Sequence, residues 1–140
     1  MSIRRIAVAI LLCTVSAACS SSPEKLTKEI QDANSWIASA QMVAKSYADG
    51  AVPKAYAHDA LTSFNQQLQS TTKRVQSIAD PRTSETVLSL QRAQQVMTRI
   101  DTAIQQADQL SLAQSGGQLE YEQRQLNTLV NPGSQTARQP

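Results

Sequence analysis

Residues 26–47 read LTKEIQDANSWIASAQMVAKSY. Within them Leu26, Ile30, Ala33, Ile37, Ala40, Ala44 and Tyr47 follow at intervals of 4-3-4-3-4-3, so they share one face of a helix. Trp36 and Val43 widen that stripe on one side. The opposite face carries Glu24, Lys25, Lys28, Glu29 and Asp32, whose Glu24–Lys28 and Lys25–Glu29 pairs are worth ~0.2–0.5 kcal/mol each on a helix surface. Asp49-Gly50 ends the element, because glycine accepts the left-handed conformation that follows a last helical turn.

The same spacing recurs downstream. Pro53 suits the first turn of a second helix, where its missing N–H costs nothing, and the stripe then runs Ala57, Leu61, Phe64, Leu68, Thr71, Val75, Ile78. Asp80-Pro81 interrupts it, with Asp80, Thr83 or Ser84 available to cap a third helix. That helix reads Leu90, Ala93, Met97, Ile100, Ile104, Ala107, flanked by Val96, Ala103 and Leu110, and Gly116-Gly117 closes it. A shorter, weaker helix with Leu119, Leu126, Leu129 and Val130 follows, and Asn131-Pro132-Gly133 stops it. Three long helices on short turns favour antiparallel neighbours. The expected fold is all-α: an antiparallel three-helix bundle with a short fourth C-terminal helix, spanning 24–130, with a disordered tail over 131–140.

The amino terminus is of another kind. Arg4 and Arg5 precede an apolar run from Ile6 to Val15, and Ser16, Ala17 and Ala18 lead into Cys19. Residues 1–18 therefore read as a secretory signal peptide. As a helix, Ile6 to Ala18 would cover roughly 20 Å, short of the ~30 Å of a bilayer core. Ser16-Ala17-Ala18-Cys19 resembles the lipobox of bacterial lipoproteins, although the usual leucine three residues before the cysteine is replaced by Ser16. The resemblance covers the first twenty or so residues. It implies removal of the leader, diacylglycerol on the Cys19 thiol, acylation of the new amine, and attachment of the protein to the membrane through that lipid. Three acyl chains make a stable anchor where one gives marginal binding. An aspartate directly after the cysteine often retains Gram-negative members at the inner membrane. Ser20 stands there, so the resemblance implies the periplasmic face of the outer membrane. Residues 19–23 form the lipidated cysteine and its tether. Cys13 leaves with the signal, so the mature chain has no internal disulfide.

Composition narrows the function classes. The chain has 13 Lys and Arg against 11 Asp and Glu, and loss of Arg4 and Arg5 leaves 13 − 2 = 11 of each sign. A balanced charge argues against nucleic acid and anionic head groups as partners. Setting the leader aside lowers the apolar share from 41% to about 36%, below the ~45–50% of typical globular chains, which suits a slender bundle. His58 is the one histidine; it lies opposite the stripe with Lys54, Thr62 and Asn65 and reads as solvated, with Asp59 pointing elsewhere. Zinc and haem motifs lack ligands, no calcium-loop spacing occurs, and no nucleophile elbow or phosphate-cradling loop is present. Asp101 and Asp108 share a helix face and read as a solvated pair. No cofactor, metal site or enzymatic activity is expected.

Trp36, Tyr47, Tyr56 and Phe64 concentrate the aromatic residues in the first hairpin. They read as packing, and Tyr47 and Tyr56, bracketing the Asp49–Pro53 turn, with Trp36 nearby, are the candidate contacts for a partner. The expected function is a non-catalytic envelope lipoprotein that binds or supports an unknown envelope protein. The alternatives are a soluble periplasmic module holding a small apolar ligand between its helices, a pilotin-like secretion accessory, and self-association through the glutamine-rich faces.

Overall fold

The computed structural model describes residues 21–131. The expected signal peptide, Cys19 and residues 132–140 lie outside the described residues, and the tail expected over 131–140 lies outside them except for Asn131. Within 21–131 the chain is all-α, with four helices and no strand: α1 (Ser22–Ala48), α2 (Lys54–Gln76), α3 (Thr83–Gln106) and α4 (Gln109–Val130).

Each helix forms for reasons visible along its length. At the start of α1 the Glu24 side chain accepts from the Ser21 N–H at 3.1 Å, satisfying one of the donors that a helix start leaves free. The helix ends at Asp49, which Lys45 meets at 2.8 Å, and Gly50 takes φ +71°. Pro53 immediately precedes α2. The stripes of α1 and α2 are buried over their whole lengths, with Tyr47, Phe64 and Ile78 partly covered at the edges. α3 buries Leu90, Ala93, Val96, Met97, Ile100, Ala103 and Ile104.

The fourth helix differs from the expectation. It has 22 residues, against 23 in α2 and 24 in α3, so it is not short. Gly116-Gly117 lies inside it instead of closing α3. The actual break is at Ala107, which adopts φ +55° and passes the chain to Asp108, the N-cap of α4. The Asp108 carboxylate accepts from the Ser111 N–H at 3.0 Å and from its hydroxyl at 2.6 Å, a cap that outweighs two mid-helix glycines. Ala107 is consequently exposed instead of ending the α3 stripe, and Leu110 projects from α4 at 70% exposure. Asp101 and Asp108 do not share a helix face, since they sit on either side of this break.

The α2–α3 turn also departs from expectation. Arg82 precedes α3, and none of Asp80, Thr83 and Ser84 is the cap. Asp80 instead accepts from the Arg82 backbone N–H at 2.8 Å and from its guanidinium at 3.0 Å through both oxygens. The same guanidinium reaches the Leu129 carbonyl at 2.9 Å, which ties the turn to the end of α4.

α1 and α3 each pack against both α2 and α4 and touch one another across the centre, while α2 and α4 do not meet. The core lies along that central line, built from Leu26, Ile30, Ile37, Leu61, Leu68, Leu90, Met97, Ile100, Leu119 and Leu126. No described helix is long and apolar enough to cross a membrane.

Ala107 and the diglycine of α4 carry the less favourable backbone residue for their place. An alanine in the left-handed region costs ~1–2 kcal/mol, and a glycine inside a helix costs ~0.5–1 kcal/mol relative to alanine. A Cβ added at Gly117 meets nothing within 4 Å. Ala107→Gly and Gly117→Ala are each expected to raise stability by about 0.5–1 kcal/mol, additively, in urea denaturation followed by circular dichroism.

Candidate functional site

Polar side chains run along the edges of the buried seams and cross from helix to helix. Between α2 and α3, the Lys54 ammonium donates to the Gln105 carbonyl at 3.1 Å, His58 Nδ1 meets Asp101 Oδ1 at 2.8 Å, Asn65 reaches Thr98 at 3.4 Å and Gln94 donates to Thr72 at 2.7 Å. Between α1 and α2, Arg74 Nε holds Glu29 at 2.9 Å, and the Trp36 and Phe64 rings stack with centroids 6.1 Å apart. Between α1 and α4, Asn34 donates to Asn127 at 2.8 Å and Gln123 to the Asn34 carbonyl at 3.3 Å.

Of the residues singled out from sequence, Cys19 lies outside the described residues. Trp36 is half-buried against Phe64. Tyr47 is half-buried, and its hydroxyl donates to the Ile104 carbonyl at 3.3 Å, fastening α1 to the end of α3. Tyr56 is 56% exposed. His58 is exposed as expected, but it has a partner: Asp101, from the helix opposite, engages it. Register between two helices created that pair, and no spacing within one helix signals it.

The pairing raises the His58 pKa, first through the hydrogen bond to Asp101 and then through its charge. A raised histidine binds its proton more tightly in the folded chain, so the pair's stabilisation is full below the unfolded value of about 6.5 and is lost as pH rises through the folded value. The melting-temperature advantage of the native protein over Asp101→Asn is therefore expected to be largest near pH 6 and to shrink by pH 8.5. The His58 titration followed by NMR should move down in that variant.

The α3–α4 seam is different. α4 places Leu112, Ser115, Leu119, Glu122 and Leu126 inward at 3-4-3-4 spacing, so a carboxylate occupies a core position. Glu122 is 7% exposed, and its Oε2 has no hydrogen-bond partner. Burial pushes its pKa up, and the charge of Arg92 on α3 acts in the opposite direction. Sequence reading passed over Glu122, although its distance from Leu119 and Leu126 is the signal that it faces inward.

Glu122 stands at the base of an open cleft of about 520 Å³ between α3 and α4. Val96 forms the floor beside it, and Arg92, Gln95, Gln114 and Tyr121 form the walls. Arg99 donates to Gln118 across one end at 3.2 Å. A second cleft of about 380 Å³ runs between α1 and α4, with Ala44, Ala48, Leu112 and Ala113 along it. No group of three or more His, Cys, Asp or Glu residues suited to a metal occurs among the described residues. No protein-family model matches the chain, and no curated protein or solved structure is significantly similar to it.

A buried acid whose pKa is raised adds stability below its unfolded value and loses it as pH rises through the raised folded value. Replacing such a group with a well-packed apolar side chain is commonly neutral to stabilising by ~1–4 kcal/mol. Glu122→Leu is expected to gain about 1–3 kcal/mol at pH 7.5 and distinctly less at pH 4, in urea titrations at the two pH values.

Proposed function

We propose that this chain is a lipoprotein of the bacterial cell envelope, most consistent with the periplasmic face of the outer membrane, whose four helices form an antiparallel, non-catalytic bundle that binds or supports another envelope component. The observation that carries the reading is the junction Ser16-Ala17-Ala18-Cys19, followed by only Ser20 and Ser21 before α1 begins at Ser22. Two residues extend at most ~7 Å, so an acylated Cys19 would hold the first turn of α1 against the bilayer surface.

The antiparallel arrangement draws support from the register of the cross-links. Along α2 and α3 the partners of Lys54, His58, Asn65 and Thr72 descend through Gln105, Asp101, Thr98 and Gln94. The same inversion joins Glu29 to Arg74 and Asn34 to Asn127. On this reading the start of α1 and the Asp80–Arg82 turn form the membrane-proximal end. The Asp49–Pro53 and Ala107–Asp108 turns stand roughly 40 Å away, the length of a 27-residue helix at 1.5 Å per residue. Tyr56, exposed near that distal end, is available to a partner.

A second reading, a soluble module with a small apolar ligand between helices, draws on the α1–α4 cleft and its alanine and leucine walls. Acylation separates the two. Cys19→Ser is expected to abolish incorporation of labelled palmitate and to accumulate the longer precursor that the lipoprotein pathway no longer cleaves. Unchanged labelling and processing would overturn the lipoprotein reading and favour the soluble one.

A further inference from the structure

We propose that the α3–α4 cleft is a binding site for a small zwitterion, a ligand carrying an ammonium and a carboxylate, with Glu122 receiving the ammonium and Arg92 the carboxylate. The inference goes beyond the lipoprotein reading and stands independently of what Cys19 carries.

Three features of the cleft lead there. First, a buried polar atom without a partner is uncommon and calls for an explanation, such as a functional role or a bound water or ion. Glu122 Oε2 is such an atom, buried beneath the cleft that its residue lines. The seam places a leucine one turn on at Leu126 and one turn before at Leu119, so packing alone would favour an apolar residue at 122. Second, Arg92 lines the same cleft and lies near enough to act electrostatically on Glu122, yet it forms no ion pair with it or with any other described residue. The opposite charges face one space without closing it. Third, the walls are built for a polar guest: Gln95 and Gln114 supply amide donors and acceptors, Tyr121 supplies a ring with a hydroxyl, and Val96 supplies a small apolar floor. At Gly117 the helix wall has no side chain, which keeps the cleft open there.

The charge pattern selects among ligand classes. A dication would find Glu122 but would meet the positive field of Arg92 and Arg99. A dianion would find the guanidiniums but would bring a second negative charge against a carboxylate already short of solvation. A ligand with one charge of each sign satisfies both walls, and the guanidinium fork is suited to a carboxylate. A volume of about 520 Å³ falls within the ~300–1,000 Å³ of small-molecule sites and admits a group of amino-acid size.

The test is isothermal titration calorimetry on the full chain with ω-amino acids from glycine to 6-aminohexanoate, alongside the diacids and diamines of matching chain length. NMR follows the Arg92 side chain and the Gly117 and Tyr121 amides in the same titrations. At least one ω-amino acid is expected to bind saturably and at least ten-fold more tightly than its matching diacid and diamine, with shifts concentrated at those three residues. Glu122→Gln and Arg92→Gln, each checked for folding by circular dichroism, are each expected to weaken it ten-fold or more. Equal binding of all three ligand series, binding unaffected by either substitution, or no binding by any ω-amino acid would overturn the proposal.

Discussion

The structure depends on a narrow apolar seam repeated four times. Each helix offers one stripe at 4-3 spacing, and much of each stripe is alanine, threonine or serine, with the large aliphatic side chains spaced between. Such a stripe buries too little to hold a helix alone, since isolated helices are marginal in water whatever their propensity. Each one becomes stable only when it faces others. α1 and α3 meet across the centre, and the buried alanines of their stripes, Ala33 and Ala40 on one and Ala93 on the other, are small residues that suit a close approach of helices. Buried leucine and isoleucine residues then contribute ~1.5–3 kcal/mol apiece, and the core is a line of them.

A thin core makes the seam edges matter. Along each of the four lateral contacts, hydrogen-bonded or charged pairs cross between helices and fix register, while contributing little net stability where they are exposed. Glu29–Arg74, His58–Asp101, Asn34–Asn127 and Arg99–Gln118 belong to this class. Along the α3–α4 contact the seam itself also changes. A carboxylate stands in the seam itself, an arginine beside it has no ion partner, and a glycine sits in the wall. Each of these departs from what packing favours, and all three lie around one space. Local departures from good packing that converge on a cleft are the pattern expected where a surface is kept for binding.

Much of the fold was legible because helical periodicity is a local signal. The stripes of α1 and α2 follow from spacing alone, and every residue assigned to them is buried or half-buried. α3 was legible as far as Ile104. Its end was not, because a left-handed alanine leaves no compositional trace. The diglycine ten residues on was the stronger punctuation by composition, yet the Asp108 and Ser111 pair supplied a cap that let α4 run through it. Asp80 was misassigned for a related reason: an aspartate before a helix reads as a cap, and only the folded turn shows Arg82 claiming both its oxygens. The His58–Asp101 pair and the facing of Arg92 towards Glu122 arise from register between helices, which no single stretch encodes. Glu122 was recoverable in principle, from a polar residue falling in step with Leu119 and Leu126.

The junction between α3 and α4 consists of Ala107 and Asp108 alone. Both walls of the Glu122 cleft therefore come from consecutive chain, and bringing them together restrains only a short loop, for which the entropy of closure is small. The α1–α4 contact, by contrast, joins the first helix to the last and closes a far longer stretch of chain. The shape of this cleft is thus a property of two helices consecutive in the chain, whose docking restrains far less chain than seating the first helix on the last.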